Sequence, residues 1–385
     1  MRIQDLKILH LSHEGLPDWR IEKSAITTTK NGHQVIFCGR ESNYKSSIFQ
    51  KIYQINWTAK ARLGIPIYWK SVKRQLAKVL DESRPDIIHA HNLFSARLSS
   101  EFKIPFVYDD HEFWSASSRL LNEMKSNFIG VDKPMGLRHN FLELTLGTRR
   151  KILNRYAIRL WAKWEKKIVS STPTITVSES ISNEMRKLGA SKLFVVPNFP
   201  LLSETGYIEG PKYHPILSSV YAGSDGLNVD RYPHRNMTGF TDLFESNEVG
   251  TLTVLGWKNN STYKVRYKGY LSRQEMFDEM SQHSVGILPW RKHWAHSFTN
   301  PNKPYEYIHA GMFVMCSSSV QPVIRTLQDH CSVFDDYDQL VSQLFYFKSH
   351  MDLLFKKRQE SFRFAKDNII WEKNERNILQ AYRVA

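Results

Sequence analysis

The segment 300–311 places amides, a lysine and a glutamate at spacings that suit phosphate and ribose binding. Asn300 and Asn302 can each cap a helix, whose exposed backbone N–H groups attract phosphate, and Lys303 adds positive charge. Glu306 lies about one turn further along, where a carboxylate can accept hydrogen bonds from the paired hydroxyls of a ribose. The segment predicts a nucleotide-binding helix; an ordinary capped helix with solvated Lys303 and Glu306 is the alternative.

A second polar cluster follows the apolar stretch 106–108 and consists of Asp109, Asp110, His111 and Glu112. Because histidine titrates near neutral pH, His111 can orient or deprotonate a hydroxyl group. The two aspartates suggest a divalent cation, but adjacent side chains on an extended chain point to opposite faces, so we do not expect both to bind one ion. The alternative is a structural turn whose histidine is hydrogen-bonded.

Arg235 and Gly15 are candidates for contacts with phosphate. Arg235 is predicted at the start of a helix beyond the strand that ends at Gly223, where a guanidinium can bind a diphosphate through two parallel hydrogen bonds. Gly15 lies in the loop after the first predicted strand and leaves room for a phosphate to approach. The alternative for Arg235 is a surface position in a loop.

Metal and P-loop chemistry are not expected from this sequence. His89 and His91 lie at a strand end without the spacing or the thiols of a zinc site, and His293 and His296 likewise lack partners. The glycine-rich motifs GxGxxG and GxxxxGK[ST] are absent. We therefore predict no metal site and no bound cofactor.

The elements that position these residues alternate between apolar strands and helices, which is typical of an α/β fold with parallel sheets. Residues 199–215 are punctuated by proline and glycine and are predicted as a linker. We expect an N-terminal Rossmann-like domain at 1–200, a C-terminal Rossmann-like domain at 201–365, and a C-terminal helix at 366–385 that packs back on the first domain. The stretch 351–382 is predicted as helical and amphipathic. Because ligands of parallel sheets bind beyond the carboxyl ends of strands, the predicted site is a cleft between the two domains.

Length and charge narrow the class of protein. The chain has 385 residues, three cysteines and a formal net charge of +15. These values suggest two domains, no disulfide framework and an anionic partner such as nucleic acid, an anionic membrane or a phosphorylated ligand. No nucleic-acid recognition module is present. No apolar stretch suits a signal peptide or a transmembrane helix, so a cytoplasmic location is expected.

The segment 119–167 is predicted as a basic helical insertion in the first domain. It carries eight more basic than acidic residues, and apolar residues that include Trp161 and Trp164 lie among them. A basic amphipathic stretch with tryptophans can lie on an anionic bilayer, which would suit a lipid-linked substrate. The alternative is a helical hairpin that packs on the first domain and exposes its lysines and arginines to solvent.

Ordered motifs along nearly the whole chain resemble those of glycosyltransferase family 4, whose members have the GT-B fold. The motifs are, in chain order, Asn-Gly-His-Gln-Val at 31–35, Pro-Asp-Ile-Ile-His-Ala-His at 85–91, Tyr-Asp-Asp-His-Glu at 108–112, Ile-Thr-Val-Ser-Glu-Ser at 175–180, Val-Val-Pro-Asn at 195–198, Gly223, Gly269 and the segment 300–311. The resemblance implies two Rossmann-like domains facing a cleft and transfer of a hexose-type sugar from a nucleotide-sugar donor to a hydroxyl. It also implies retention of the anomeric configuration and no essential metal.

The resemblance assigns roles to individual residues. Glu306 matches the ribose-binding glutamate, Arg235 looks like the diphosphate-binding residue, and His111 is similar to the active-site histidine near the acceptor hydroxyl. Gly269 and Tyr270 fall where the nucleobase is usually met. The predicted catalytic residues are His111 and Glu112, and the predicted donor-binding residues are Gly15, Arg235, Gly269, Tyr270, Asn302, Lys303 and Glu306.

Two departures from the family pattern keep other functions open. Phe298 stands where the family has its first glutamate, as in a subset with an Asn-Lys motif, and Ser224 replaces the usual arginine after Gly223. A nucleotide-sugar epimerase of the same fold and a non-catalytic glycosyltransferase-like partner subunit are the alternatives. The predicted acceptor is a lipid-linked molecule or a growing cell-surface glycan. Such an enzyme would act in polysaccharide biosynthesis, in the cytoplasm or peripherally at the inner face of the cell membrane.

Overall fold

The computed structural model describes residues 5–44, 46–124, 139–223 and 232–385. They form two compact units: unit 1 comprises Met1–Val196 and Asn374–Ala385, and unit 2 comprises Pro197–Lys373. The predicted boundaries lay at residues 200 and 365. The predicted α/β class with two Rossmann-like parallel sheets is confirmed.

Within the described residues, unit 1 contains a sheet of seven parallel strands in the order β3-β2-β1-β4-β5-β6-β7. The strands are β1 (Lys7–Ser12), β2 (Gln34–Gly39), β3 (Lys51–Gln54), β4 (Ile87–His91), β5 (Phe106–Asp110), β6 (Thr174–Thr176) and β7 (Leu193–Val195). The order of connection reverses between β1 and β4, because β2 and β3 lie on one side of β1 and the later strands on the other. The crevice beyond the carboxyl ends of β1 and β4 is therefore where this fold offers a ligand site.

Helices connect the strands of unit 1. They are α1 (Trp19–Lys30), α2 (Ala59–Arg62), α3 (Pro66–Ser83), α4 (Asn92–Ser99), α5 (Trp114–Ser117), α6 (His139–Val169) and α7 (Glu179–Lys187), with a 3₁₀ turn at Ser118–Asn122. The Asp18 side chain caps α1 by accepting hydrogen bonds from the backbone N–H groups of Arg20 and Ile21 at 3.0 and 3.2 Å. The predicted end of this helix at Asn31-Gly32 is confirmed, and Gly32 has a φ of +86°.

The sheet of unit 2, within its described residues, has six parallel strands in the order β10-β9-β8-β11-β12-β13. The strands are β8 (Ser218–Ala222), β9 (Thr251–Leu255), β10 (Val265–Gly269), β11 (Val285–Leu288), β12 (Phe313–Ser317) and β13 (Cys331–Phe334). Here the order reverses between β8 and β11. The loops that follow these two strands therefore border the expected ligand crevice of unit 2.

Helices of unit 2 pack on this sheet. They are α8 (Leu202–Thr205), α9 (Phe240–Ser246), α10 (Arg273–Met280), α11 (Lys303–His309), α12 (Gln321–Leu327), α13 (Tyr337–Ser349) and α14 (Met351–Asn368), with 3₁₀ turns at Pro233–Arg235, Trp294–Phe298, Gln328–His330 and Trp371–Asn374. A hydrophobic core of buried residues runs from Phe199 to Ile369 and fills the space between sheet and helices.

The stretch 351–382 is mostly helical, as predicted, but it is divided into two α-helices with a 3₁₀ turn between them. After α14 ends at Asn368, the fully buried Trp371 donates from its backbone N–H to the carbonyl of Pro200 at 2.9 Å. That contact requires the chain to leave the helical path. The chain then enters α15 (Glu375–Arg383), which belongs to unit 1 and packs on β5, β6, β7 and α1.

One side of α6 packs on α4, on α5 and on the 3₁₀ turn at Ser118–Asn122. Where its burial is described, the buried positions follow helical spacing and are Asn154, Ala157, Trp161, Glu165, Ile168 and Val169. Of the predicted insertion 119–167, residues 125–138 lie outside the described part of the chain. Within the described residues, no helix has both the length and the apolar character needed to cross a bilayer.

Candidate functional site

The lysine at the start of α11 lies against the carboxyl end of β8. Gly223 follows β8 with a φ of +148°, and a Cβ at this position would lie 2.3 Å from Lys303 Cε and 3.0 Å from its Nζ. A side chain at residue 223 would therefore displace the ammonium group. The structure thus brings the predicted donor-binding residue Lys303 to the point where the strand order of unit 2 reverses.

Trp290 brings Arg235 and Lys303 together. The indole is buried, and its ring centre lies 5.6 Å from the Arg235 guanidinium carbon and 5.5 Å from Lys303 Nζ. Both distances fit cation–π contacts. Two cations positioned by one buried ring suit an anion with at least two charged oxygens, such as a diphosphate. Ser224, the predicted replacement of an arginine, lies outside the described residues.

His296 holds the turn that carries Arg235. Its Nε2 lies 2.5 Å from the carbonyl oxygen of His234, and its Nδ1 lies 2.6 Å from Ser319 Oγ. Burial lowers the pKa of His296 to about 4, so the ring is neutral at physiological pH. A neutral ring that donates from Nε2 to the carbonyl and accepts from the serine satisfies both contacts.

Glu306 is buried in α11 and bound on both sides. Asn302 Nδ2 donates to Glu306 Oε1 at 2.7 Å, and Arg273 Nη1 donates to the same oxygen. Arg273 also donates from Nε to Glu204 Oε1 at 2.7 Å. Burial opposes the charge of Arg273, but Glu306 and Glu204 raise its pKa, so this ion-pair network stays charged.

The predicted side-chain cap of α11 is not formed by Asn302. Asn302 occupies the N-cap position, but among the described residues its side chain makes no bond to the helix N–H groups and binds Glu306 instead. Asn300 Oδ1 accepts a hydrogen bond from the Tyr305 hydroxyl at 2.6 Å. Both amides therefore bind side chains of α11, through Glu306 and Tyr305 respectively.

Gly269 and Tyr270 lie at the end of β10, three to four residues before Arg273. Gly269 has a φ of +65°, its N–H donates to the Trp257 carbonyl at 2.8 Å, and its carbonyl accepts from Gly256 N at 2.7 Å. Tyr270 is 74% exposed. The structure connects this turn to Glu306 through Arg273, so the predicted nucleobase and ribose positions belong to one part of unit 2.

In unit 1, Gly15 is explained by close packing. A Cβ at Gly15 would lie 3.0 Å from the carbonyl oxygen of Arg40 and 3.1 Å from Ser42 Cβ. The absence of a side chain therefore lets the loop after β1 approach the loop after β2. The structure gives no separate indication of a phosphate contact at this residue.

His111 follows β5 and touches a buried group of polar side chains. Its Nε2 lies 3.2 Å from His91 Nδ1 and 3.7 Å from Asp109 Oδ2, and its ring is partly exposed. Its backbone N–H donates to Asn92 Oδ1 at 3.3 Å. Glu112 is exposed. The structure therefore places His111, but not Glu112, in a hydrogen-bonded network.

Asp109 is the charged centre of this network. Arg20 donates to its Oδ1 from Nη2 at 2.7 Å and from Nε at 3.0 Å, and His89 Nε2 lies 3.2 Å from its Oδ2. Burial favours the neutral carboxyl, yet Arg20 and the surrounding histidines hold the pKa of Asp109 well below its usual range. Asp109 is therefore ionised at physiological pH.

Asp110 points to the opposite face of β5, as predicted, and accepts a hydrogen bond from the Tyr108 hydroxyl at 2.7 Å. Burial and the neighbouring carboxylate of Glu165 raise the pKa of Asp110 well above its usual range. This side of the strand therefore holds a carboxyl pair that retains a proton, and the two aspartates do not share a ligand.

The ligand atoms of His91, Asp109 and His111 could hold a divalent cation. His91 Nδ1, Asp109 Oδ2 and His111 Nε2 form a triangle with sides of 3.2, 3.5 and 3.7 Å. Such spacing suits metal–ligand bonds of about 2.0–2.2 Å. The charge of Asp109 is already balanced by Arg20, so a cation here would add two uncompensated charges to a buried site. The absence of a metal site stays a prediction.

From the sequence, His89 and His91 were considered only as zinc ligands, and neither they nor His10 were expected around Asp109. His10 lies in β1 and His89 in the adjacent β4, where the two residues are paired in register, and His91 follows on the same face. All three are fully buried. The signal was present, because a histidine in an otherwise apolar strand has to find a polar partner inside the protein.

Comparison with known proteins agrees with this architecture. Residues 25–199 match the model of Glycosyltransferase Family 4. No curated protein matches the chain significantly by sequence.

Solved structures share the fold over nearly the whole chain. Sucrose-phosphate synthase from Thermosynechococcus elongatus is 11% identical, with a TM-score of 0.69 over 98% of each chain. HepE of Anabaena in complex with UDP-glucose is 11% identical, with a TM-score of 0.65 over 99% of this chain and 100% of that chain. WaaG, a glycosyltransferase involved in lipopolysaccharide biosynthesis, is 13% identical, with a TM-score of 0.63 over 96% and 99% of the two chains.

Proposed function

We propose that this chain is a glycosyltransferase that moves a hexose-type sugar from a nucleotide-sugar donor to a hydroxyl group. The premise is that residues 25–199 match Glycosyltransferase Family 4 and that the fold is that of GT-B glycosyltransferases. The observation that carries the proposal is the convergence of Arg235 and Lys303 on Trp290, beside Gly223 at the end of β8.

The charge that develops during the reaction explains why cations are needed at the end of β8. When the bond between the anomeric carbon and the phosphate breaks, negative charge builds on the leaving diphosphate. Preorganised positive groups lower the barrier of this step more than groups that must first reorganise. Arg235 and Lys303 would neutralise the diphosphate, so the proposed reaction needs no metal, and Glu306 would bind the ribose hydroxyls. In unit 1, His111 would contact the reacting sugar or the acceptor hydroxyl.

Binding of nucleoside diphosphates tests the donor half of the proposal. HepE of Anabaena was solved with UDP-glucose, so UDP and UDP-glucose are the first probes in isothermal titration calorimetry, followed by the diphosphates of the other bases. We expect Arg235→Ala and Lys303→Ala each to weaken binding at least about tenfold, which corresponds to about 1.4 kcal/mol. Lys356→Ala, which removes an exposed lysine of α14, is the matched control.

The outcome distinguishes the proposal from its alternatives. Equal affinity in wild type and both variants would remove the two cations from the site. Failure of every nucleoside diphosphate to bind would favour a non-catalytic partner subunit. A changed sugar formed without any acceptor would identify an epimerase, because a transferase needs an acceptor to form its product.

We also propose that α6 contacts an anionic bilayer that carries the acceptor. The side of α6 that faces away from its packing partners exposes Ile152, Leu153 and Tyr156, by 61, 40 and 51%. Lys151 and Arg155 are exposed between them. Apolar side chains among basic ones suit the boundary between lipid headgroups and acyl chains, where each basic residue contributes about 1 kcal/mol. A lipid-linked or cell-surface acceptor is consistent with this location.

Co-sedimentation with vesicles tests the membrane contact. We expect binding to phosphatidylcholine vesicles that contain phosphatidylglycerol, and much weaker binding to phosphatidylcholine alone. The double variant Ile152→Ser/Tyr156→Ser should reduce binding severalfold, whereas Lys187→Ser on α7, an exposed lysine elsewhere in unit 1, should not. Absence of binding at low salt would show that the exposed lysines and arginines are merely solvated.

A further inference from the structure

Three histidines of unit 1 form a chain of hydrogen-bonded imidazole rings. The chain begins at His10 in the interior, continues through His91 and ends at His111. His111 Nε2 lies 3.2 Å from His91 Nδ1, and His91 Nε2 lies 3.0 Å from His10 Nδ1. His10 and His91 are fully buried, and only His111 is partly exposed. Each contact is a hydrogen bond in which one ring donates and the other accepts.

The carboxylate of Asp109 lies beside the contact between His91 and His111. Its Oδ2 lies 3.5 Å from His91 Nδ1 and 3.7 Å from His111 Nε2, and Arg20 keeps the group ionised. The negative oxygen attracts an N–H and repels a lone pair, so it favours the proton on the nearer nitrogen, His91 Nδ1. Burial lowers the pKa values of His91 and His10 well below the usual range, so each of these rings carries a single proton.

The far end of the chain agrees with this direction. If His91 is protonated on Nδ1, its Nε2 accepts from His10 Nδ1–H, and His10 Nε2 keeps a lone pair. His10 Nε2 has no hydrogen-bond partner among the residues that the structure describes. The opposite direction would leave an N–H at that atom, and buried donors without partners are rarer than buried acceptors without partners.

We propose that His91 is a positioning residue that holds His111 in the tautomer with the proton on Nδ1. Because His91 Nδ1–H donates to His111 Nε2, the neutral His111 ring has its one proton on the other nitrogen. The nitrogen that takes no part in the chain is then a hydrogen-bond donor. Resting on the proposed function, this makes His111 a donor to an oxygen of the sugar or acceptor and not the base that removes the acceptor proton.

Nuclear magnetic resonance of the protein with ¹⁵N-labelled histidine tests this tautomer directly. Long-range ¹H–¹⁵N correlation spectra, recorded above pH 7, show which ring nitrogen carries the proton. The signals of His111 are those that disappear in His111→Gln. We expect His111 protonated on Nδ1 in the wild type, and mostly on Nε2 in His91→Leu, because that tautomer predominates for free imidazole rings in water. His350→Gln, at the end of α13 in unit 2, should leave the His111 signals unchanged.

Several outcomes would overturn the proposal. His111 protonated on Nε2 in the wild type would contradict it, as would an unchanged His111 tautomer in a folded His91→Leu protein. If His91→Leu does not fold, His10→Leu removes the donor to His91 Nε2, and a mixture of both His111 tautomers is then expected. An equimolar metal in the purified protein, with metal-bound shifts at His91 and His111, would mean that an ion replaces the proton between the rings.

Kinetics separate this proposal from the proposed function. The tautomer experiment uses no nucleotide or acceptor, so it gives a result even if no transferase activity is found. In an active enzyme, His91→Leu should lower kcat about tenfold with little change in KM for the donor, and His91→Asn, which keeps an N–H near Nδ1, should restore part of it. An unchanged kcat in His91→Leu would exclude the positioning role.

Discussion

The buried side chain of Glu306 is held by hydrogen bonds that both stabilise it and position it for ligand binding. Its side chain is only 3% exposed, and Oε1 accepts from both Asn302 and Arg273. Removing a charged group from water costs several kcal/mol unless partners compensate, and here the partners belong to the same unit. The carboxylate is thereby fixed in position before any ligand arrives.

Glu306→Gln should weaken nucleoside diphosphate binding about tenfold, because a neutral amide forms weaker hydrogen bonds with ribose hydroxyls than a carboxylate does. The substitution preserves size, and Arg273 keeps Glu204 as a partner. Titration calorimetry with UDP measures the effect, and Glu360→Gln on the exposed side of α14 is the control. An affinity that matches the wild type would place the ribose elsewhere.

The sequence predicts that residues belong to one site when they lie close together in the chain. Lys303 and Glu306 share one helix, so their spacing alone indicated a common site. The network around Asp109 draws on β1, β4, β5 and α1, and only the register of the sheet brings these residues together. The sequence therefore indicated His111 but not its contact with His91, or the contact of His91 with His10, because the pairing of strands β1 and β4 is not encoded locally.

The position of α11 depends on a glycine in β11. A Cβ at Gly286 would lie 2.3 Å from Tyr307 Cγ, so the tyrosine ring packs directly on the strand backbone. The Tyr307 hydroxyl accepts a hydrogen bond from Ala222 N at 2.9 Å, next to Gly223. These contacts fix the position of α11 against β11 and β8, at the point where Lys303 approaches the end of β8.

Gly286→Ala should destabilise the protein by about 1–3 kcal/mol, because the added methyl group must push the Tyr307 ring away from the strand. Urea unfolding followed by circular dichroism measures the loss. UDP affinity should fall as well, since Lys303 moves with α11. Gly210→Ala, whose Cβ would meet only Phe362 Cε1 at 3.9 Å, is the matched control. Equal stability of the two variants would mean that the ring can move without cost.

The sequence predicted which segments form helices and strands better than it predicted the residues at which they end. The strand-helix alternation is confirmed, whereas the end of a helix at Asn368, within the helical stretch predicted at 351–382, was not predicted. Helical propensity extends through this region, but burial of Trp371 and its contact with Pro200 override it. This break depends on Pro200, which lies more than a hundred positions away in sequence, so no local sequence pattern predicts it.

Across the whole molecule, buried histidines couple stability to pH. His10, His13, His89 and His91 are fully buried in unit 1, and burial lowers the pKa of each. The unfolded chain protonates such residues below pH about 6.5, whereas the folded protein does not. The raised pKa of Asp110 beside Glu165 acts in the opposite direction, because there the folded state binds the extra proton.

We therefore expect the free energy of unfolding to fall as the pH is lowered below about 6.5, by about 1 kcal/mol per buried histidine per pH unit. The four histidines change the free energy of unfolding with pH more than the one carboxyl pair does in the opposite direction. Urea unfolding at pH 7.5, 6.5 and 5.5 measures the change, and His10→Phe should make the dependence shallower. Stability that is constant or rises over this range would show that the imidazole rings are not the dominant titrating groups.

Unit 1 is assembled from two separated pieces of chain, and this affects the order in which it can form during translation. Helix α15 packs on β5, β6 and β7, and the hydroxyl of Tyr382 lies 2.7 Å from His89 Nδ1. The ribosome makes this helix only after all of Pro197–Lys373. A nascent chain therefore carries an incomplete first sheet, with its site for α15 uncovered, while the second sheet is still being synthesised. Protection of that surface by chaperones would matter most in this interval.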